Sequence, residues 1–178
     1  FFLCGLLPFT RCSRKISLQM NQERFVEVFM THLEKITEEN FVEAFNLKLA
    51  PEQERFVSHP IRSLAQAYVY RQQCQPFGIY ENDTMVGYVM VIYDYDVPEY
   101  DIWHMMIDAS HQGLGYGSAA LDRVLAYIKT KPFGTSDRVA LTCSKDNARA
   151  LGLYRNKGFV PTGAVFEDEV ELVLNLRR

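Results

Sequence analysis

Apolar positions change period abruptly in the middle of the chain. Tyr100, Ile102, Trp103, Met105, Met106 and Ile107 crowd a short run of aromatic, branched and long side chains, which predicts a strand over residues 100–108. Glycines then stand at every second position, Gly113, Gly115 and Gly117. Ala119, Ala120, Leu121, Val124, Leu125 and Ile128 follow at helical spacing, so a helix is expected over 117–130, ended by Pro132 and Gly134.

The same reading extends both ways. A strand is expected near residues 29–36. Thr37 is suited to cap a helix over 38–47, with Glu38 and Glu39 in its first turn and Phe41, Val42, Phe45 and Leu49 on its apolar face. Pro51 and Pro60 bracket a looser helical region, with a short helix over 63–69. Strands at 77–80 and 85–95 form a hairpin about the polar turn 81–84, and residues 94–100 form a proline-containing loop. A strand over 138–143 precedes a helix over 148–156, capped by Asp146 or Asn147 and closed by Gly158. Strands at 159–165 and 169–176 flank Glu167 and Asp168. The order β-α-α-β-β-β-α-β-α-β-β reads as one mixed α/β domain, without repeats or linkers.

Composition narrows this picture. The 178 residues suit one core, and a formal net charge of -3 with scattered basic residues argues against a general nucleic-acid or membrane-surface partner. Cys4, Cys12, Cys74 and Cys143 lie far apart and show no metal-ligand spacing, so reduced thiols in a cytoplasmic protein, and no metal, are expected. The apolar run 1–9 is followed, not preceded, by Arg11, Arg14 and Lys15, and is too short to span a bilayer. Position 1 is Phe and the next Met is Met20. Residues 1–19 are therefore expected to be an appended or upstream-translated segment, with the domain at 20–178.

Three glycines in five residues are costly unless the backbone turns sharply or must approach a ligand. Ser118 stands where the dinucleotide fingerprint would have its third glycine, and no Gly-Lys-Ser/Thr follows, which sets aside both that motif and the P-loop. A glycine turn feeding a helix N-terminus still offers amides and a positive dipole end to phosphate. The bland alternative is a flexible turn.

Gln112-x-x-Gly115-x-Gly117 after a strand and before a helix resembles the acetyl-CoA pyrophosphate loop of the GNAT superfamily of N-acetyltransferases. A second block, NARALGLYRNKGF from Asn147 to Phe159, is similar to that family's second CoA segment. Within the superfamily the two blocks resemble the bacterial spermine/spermidine acetyltransferase-like branch, in which an Arg commonly stands where this chain has His104. The resemblance implies a central, mostly antiparallel sheet of six or seven strands, splayed at its middle and flanked by about four helices. It implies direct transfer of acetyl from acetyl-CoA to a primary amine, a small-molecule acceptor such as spermidine or spermine, and often a homodimer. A protein, peptide or drug amine remains an alternative acceptor, as does a non-catalytic acyl-CoA-binding module.

Carried onto this chain, the resemblance makes Gln112, Gly113, Leu114, Gly115, Tyr116, Gly117 and Ser118 the pyrophosphate loop. Peptide groups of Met105, Met106 and Ile107 would bond the pantetheine arm like an added strand. The Met105 N–H would polarise the thioester carbonyl and hold its developing negative charge. Asn147 would cap its helix, bond the pantetheine, or do both. Tyr154 would give its proton to the leaving thiolate; otherwise it is a core tyrosine.

The acceptor must shed a proton, since an alkylamine titrates near ~10.4. Asp101 aligns with the Glu that serves as base in some GNAT enzymes. On a regular strand it shares a side with Trp103 and Met105, and His104, the second candidate base or a packed, hydrogen-bonded histidine, points the other way; a bulge would change that. Asp94, Asp96 and Glu99, with His104, are the expected substrate-binding residues. The run YDYDVPEYD, with its interleaved tyrosines, suits a cationic aliphatic substrate by charge and cation–π attraction, or is simply a solvated loop.

Overall fold

The computed structural model describes residues 31–177. The segment 1–19 and the first residues of the earliest expected strand lie outside that span. Seven strands form one sheet: β1 (Thr31–Lys35), β2 (Cys74–Glu81), β3 (Thr84–Asp94), β4 (Glu99–Ile107), β5 (Arg138–Ser144), β6 (Val160–Phe166) and β7 (Glu169–Asn175). Their order is β1-β2-β3-β4-β5-β7-β6, and β4–β5 is the one parallel pair among them. Among the described residues there are also four α-helices, α1 (Phe41–Asn46), α2 (Pro60–Val69), α3 (Tyr116–Lys129) and α4 (Ala148–Asn156), and two short 3-10 turns, Pro51–Gln53 and Ala109–His111. The expected mixed α/β architecture is the one observed. No described helix is long and apolar enough to cross a membrane.

The elements differ from expectation at their ends. α1 starts at Phe41, after a turn in which the Thr37 hydroxyl accepts from the Glu39 N–H at 3.3 Å and the Thr37 carbonyl from the Phe41 N–H at 3.1 Å. Asn40 bonds backwards, its Oδ1 accepting from the Thr37 N–H at 2.8 Å and its Nδ2 donating to the Lys35 carbonyl at 3.1 Å. β2 starts at Cys74, before Pro76, and the hairpin tightens around Asn82, whose φ of 52° places it in the left-handed region.

The sheet separates two apolar layers. On one face Ile79, Val89, Val91, Tyr100, Ile102, Leu141 and Leu172 pack with Leu121, Val124 and Ile128 of α3 and with Leu151 and Tyr154 of α4. On the other, Tyr88, Met90 and Met106 pack with Ala44 of α1 and Ala67 of α2. Ser63 of α2 is tied there to the Tyr88 hydroxyl at 2.9 Å.

The leading end of β4 is anchored by one phenol. Tyr100 is fully buried; its hydroxyl donates to the Gly134 carbonyl at 2.7 Å and accepts from the Phe133 and Gly134 N–H groups at 3.2 and 3.1 Å. Tyr100→Phe orphans all three backbone groups, so a loss of about 2–3 kcal/mol in urea unfolding is expected. A loss below about 0.5 kcal/mol would show that water replaces the phenol without cost.

Candidate active site

The site lies where β4 and β5 part. They pair only at Tyr100↔Val139 and Asp101↔Ala140; beyond that, no described strand pairs with the β5-facing edge of β4. On its other edge β4 follows β3 as an antiparallel ladder, with Met106↔Tyr88 and Met105↔Val89 in register. The Asp108 N–H donates to the Val86 carbonyl at 2.9 Å. Alternation from that bond makes Met106 and His104 the hydrogen-bonded residues toward β3 and turns the peptide groups of Met105 and Ile107 into the gap. The gap edge is therefore offered by Met105 and Ile107, while Met106 contributes its side chain to the lining. The Ile107 carbonyl is already bonded, accepting from Gln112 Nε2 at 3.0 Å.

A cavity of about 350 Å³ opens from this gap. Its walls include Met105, Met106 and Ile107 of β4, the residues Gln112, Gly113, Gly115, Tyr116, Gly117 and Ser118, and Asn147 at the N-cap of α4 with Arg149, Leu153 and Tyr154 of that helix. Leu49, Gln53, Phe56 and Val57, from the connection between α1 and α2, cover it from the other side. Sequence patterning assigns none of those four to the site, and places Leu49 on the first helix's apolar face, because a connection between two weakly patterned helices carries no local signal of what it covers.

Gly113 and Gly115 have φ of 82° and 90°, which a side chain would strain, and Gly115 is the left-handed N-cap of α3. No described side chain caps that helix. The N–H groups of Leu114, Gly115 and Gly117 have no hydrogen-bond partner among the described residues, whereas that of Ser118 donates to the Gly115 carbonyl at 3.0 Å. Gly117 has ordinary backbone; its missing side chain leaves space between Ile107 and Leu153. At α4, Asn147 Oδ1 accepts from the Ala150 N–H at 3.1 Å. The cap function is thus seen, and the Nδ2 hydrogens remain for a ligand in the cavity.

Tyr154 is buried against Phe159, with ring centroids 5.8 Å apart, and lines the cavity. Its hydroxyl makes no hydrogen bond to any described residue. Burial, and secondarily the neighbouring Cys143, push its pKa up, so it stays protonated. Cys143 itself is buried and raised to about 11 by burial and by Glu169, which keeps it a thiol.

β4 is not regular. The ladder steps from Met90↔His104 to Val91↔Ile102, leaving Trp103 as the extra residue of a bulge. The bulge corrects the regular-strand expectation. Asp101 pairs with Ile92, on the α1–α2 face; Trp103 packs into the apolar cluster of that face, and His104 follows opposite Met90. Met105 packs into the α3–α4 cluster. Asp101 and His104 therefore share a face, and Met105 is on the other. An i, i+2 reading cannot anticipate this, since one inserted residue inverts everything beyond it.

Asp101 is partly buried, and its pKa is pushed up to about 6 by burial first, then by Glu99, Asp94 and Glu171, against the pull of Arg138. His104 goes the other way, down to about 4, through burial and the charge of Arg62, and its Nε2 lies 3.1 Å from Gln66 Oε1 of α2. At neutral pH His104 is an uncharged, hydrogen-bonded ring. Of the two, Asp101 has the pKa suited to a base near pH 7.

The remaining carboxylates have local duties. Glu99 is buried and ion-paired with Arg138, which also reaches Glu171 at 3.6 Å. Asp94 Oδ1 accepts from the Asp96 and Val97 N–H groups at 2.7 and 3.2 Å, holding the turn that exposes Asp96. The tyrosines of this run are not a cation–π surface. Tyr93 and Tyr100 stack edge-on at 4.8 Å inside the α3–α4 core, and the exposed Tyr95 bonds the Phe133 carbonyl. The aromatic wall on the acidic face is Trp103 with Tyr70, 5.4 Å apart. Among the described residues no group of His, Cys, Asp and Glu could hold a metal ion.

These features fit a phosphate-bearing thioester such as acetyl-CoA: unpartnered amides at an uncapped 14-residue helix, a strand edge open in the gap, and a protonated phenol between them. Comparison with known proteins agrees. The curated mycothiol acetyltransferase of Beutenbergia cavernae is 38% identical over 61 residues, 34% of this chain; the chain spans about a fifth (20%) of that relative's length. A spermidine N-acetyltransferase SpeG chimera from Vibrio cholerae and hSSAT shares the fold at TM-score 0.66 and 19% identity, covering 83% of this chain and 96% of that one. Aminoglycoside acetyltransferase AAC(6')-Ib, solved with coenzyme A, does so at 0.67 and 17%, covering 83% and 95%. The model of the acetyltransferase (GNAT) family matches residues 32–159, and the chain belongs to that family.

Proposed function

We propose that the protein transfers acetyl from acetyl-CoA to a primary amine in one step, and that the acceptor is a polyamine such as spermidine or spermine. The observation that carries this is the placement of Asp101. Pairing with Ile92 turns Asp101 to the face opposite α3 and α4, the face of the Trp103–Tyr70 aromatic wall, with the charges of Glu99, Asp94 and Glu171 near its carboxyl. Such an edge attracts a polycation.

Acetyl-CoA supplies the activated acyl group. Leu114, Gly115 and Gly117 amides hold its pyrophosphate, and the Met105 and Ile107 edge with Asn147 holds its pantetheine. The Met105 N–H polarises the thioester carbonyl. Asp101, directly or through a water, removes the proton that the ammonium must lose. As the C–N bond forms and the C–S bond breaks, Tyr154 gives its proton to the departing sulfur, and the second proton, shed by the acylated nitrogen, returns to the phenolate. Cys143 is buried and its raised pKa keeps it a thiol, which suits transfer without an acetyl-enzyme. The two buried free thiols, Cys74 and Cys143, fit a reducing, cytoplasmic setting. A homodimer belongs to the same reading.

An amine panel with thiol-release detection tests the substrate class. Spermidine and spermine should exceed monoamines in kcat/KM by at least about tenfold, and the advantage should shrink in high salt as the carboxylates are screened. A preference for a peptide N-terminus or an aminoglycoside would replace the polyamine assignment. Acetyl-CoA binding without turnover on any amine would favour a non-catalytic acyl-CoA module.

A further inference from the structure

Gln112 opens the glycine loop, but its side chain has nothing left to offer a phosphate. Its Nε2 donates to Gln53 Oε1 at 2.7 Å and to the Ile107 carbonyl at 3.0 Å. Its Oε1 accepts from Gln53 Nε2 at 3.0 Å and from Arg149 Nη1 at 2.8 Å. An amide side chain has two donor hydrogens and two acceptor lone pairs, and all four are used inside the protein.

Arg149 is in the opposite condition. It stands in the first turn of α4 and lines the cavity, reaching across to the start of the glycine loop. Its guanidinium has five N–H donors, and the bond to Gln112 is its one hydrogen bond to the described residues. It makes no ion pair with a described carboxylate, although Asp146 is three residues away and is paired with Arg55. An unneutralised planar fork beside unpartnered amides is a phosphate-binding arrangement.

We propose that Arg149 is the cationic ligand of the coenzyme A pyrophosphate, and that Gln112 is a positioning residue that holds Arg149 over the loop. The amides of Leu114, Gly115 and Gly117 take one side of the anion and Arg149 the other. Gln53, bonded both ways to Gln112, fixes the holder from the connection between α1 and α2. This rests on the acetyl-CoA reading of the cavity. It assigns the phosphate-reading charge to a residue of α4 and not to the glycine loop itself.

Isothermal titration of CoA and of 3'-dephospho-CoA into wild type, Arg149→Ala and Arg149→Lys tests the assignment. Arg149→Ala should weaken both ligands by about tenfold and equally, because both carry the pyrophosphate. Arg149→Lys should recover part of the loss, keeping the charge without the fork. Gln112→Ala should weaken both ligands less than Arg149→Ala, and should add little when combined with it, since it acts through Arg149. Unchanged affinity in Arg149→Ala would overturn the proposal. So would a loss seen with CoA but absent with 3'-dephospho-CoA, which would move Arg149 to the 3'-phosphate. A wild type that binds neither ligand would instead overturn the reading of the cavity. Because Arg149 is exposed, the melting temperatures of the unliganded variants should match wild type and keep the affinities comparable.

Discussion

Asp101→Asn is expected to lower kcat/KM for an amine by roughly 10²- to 10⁴-fold, the range a positioned general base contributes, while making the protein more stable at neutral pH. Both effects have one origin. Burial and the charges of Glu99, Asp94 and Glu171 hold the Asp101 carboxyl at about 6, above the ordinary 3.8. The native state thus binds this proton more tightly than the unfolded chain does. The stabilisation it contributes is complete below about pH 4 and lost as pH rises through about 6. Asparagine never ionises, so at pH 7–8 the variant should gain up to about 3 kcal/mol, less whatever water and neighbouring groups recover. The catalytic consequence runs oppositely with pH. Wild-type kcat/KM should rise through pH 6 as Asp101 ionises, and the variant should lack that limb and show a rate still climbing toward alkaline pH as the free amine appears. A pH profile paired with urea unfolding at pH 5 and pH 8 checks both. An unchanged acid limb would remove Asp101 as the base; equal stability at pH 8 would show that its surroundings do not disfavour the ion.

Tyr154→Phe is expected to lower kcat by about 10²-fold or more and to leave acetyl-CoA affinity and stability nearly unchanged. The substitution keeps the ring packed on Phe159 and within the α3–α4 core, and it breaks no hydrogen bond, since the hydroxyl makes none with the described residues. A merely structural tyrosine with an unused hydroxyl would leave kcat untouched. Kd by titration, kcat by thiol release and the melting temperature together separate the roles. Because burial raises this phenol's pKa, no fall in rate from its ionisation is expected below about pH 10. An undiminished kcat would assign sulfur protonation to another group or to water.

The segment around Gly113–Ser118 was legible in the sequence because its signal is local. A strand, three glycines and a helical repeat must adjoin for the turn to form, and the second block from Asn147 to Phe159 narrows phosphate to coenzyme A. Tyr154 and Asn147 fall where that block places them, at the cavity and at a cap. The facing of His104 and Met105 relative to Asp101 does not follow from alternation. It depends on a bulge that is set by pairing with Met90 and Val91, far away in the chain. The dispersal of the YDYDVPEYD tyrosines has a similar cause. Alternation sends Tyr93 and Tyr100 into one core and Asp94, Glu99 and Asp101 to the other face. The contacts of Arg149 and Gln53 are tertiary throughout, since these two side chains reach Gln112 from separate elements.

The direct test of amine acetylation is to incubate the protein with acetyl-CoA and spermidine and to measure acetylated amine by mass spectrometry beside CoA thiol released. One acetylamine per thiol, formed by wild type and suppressed in Asp101→Asn and Tyr154→Phe, is the predicted result. Thiol release without acetylated amine, or acetyl-CoA binding with neither product across the whole amine panel, would contradict it.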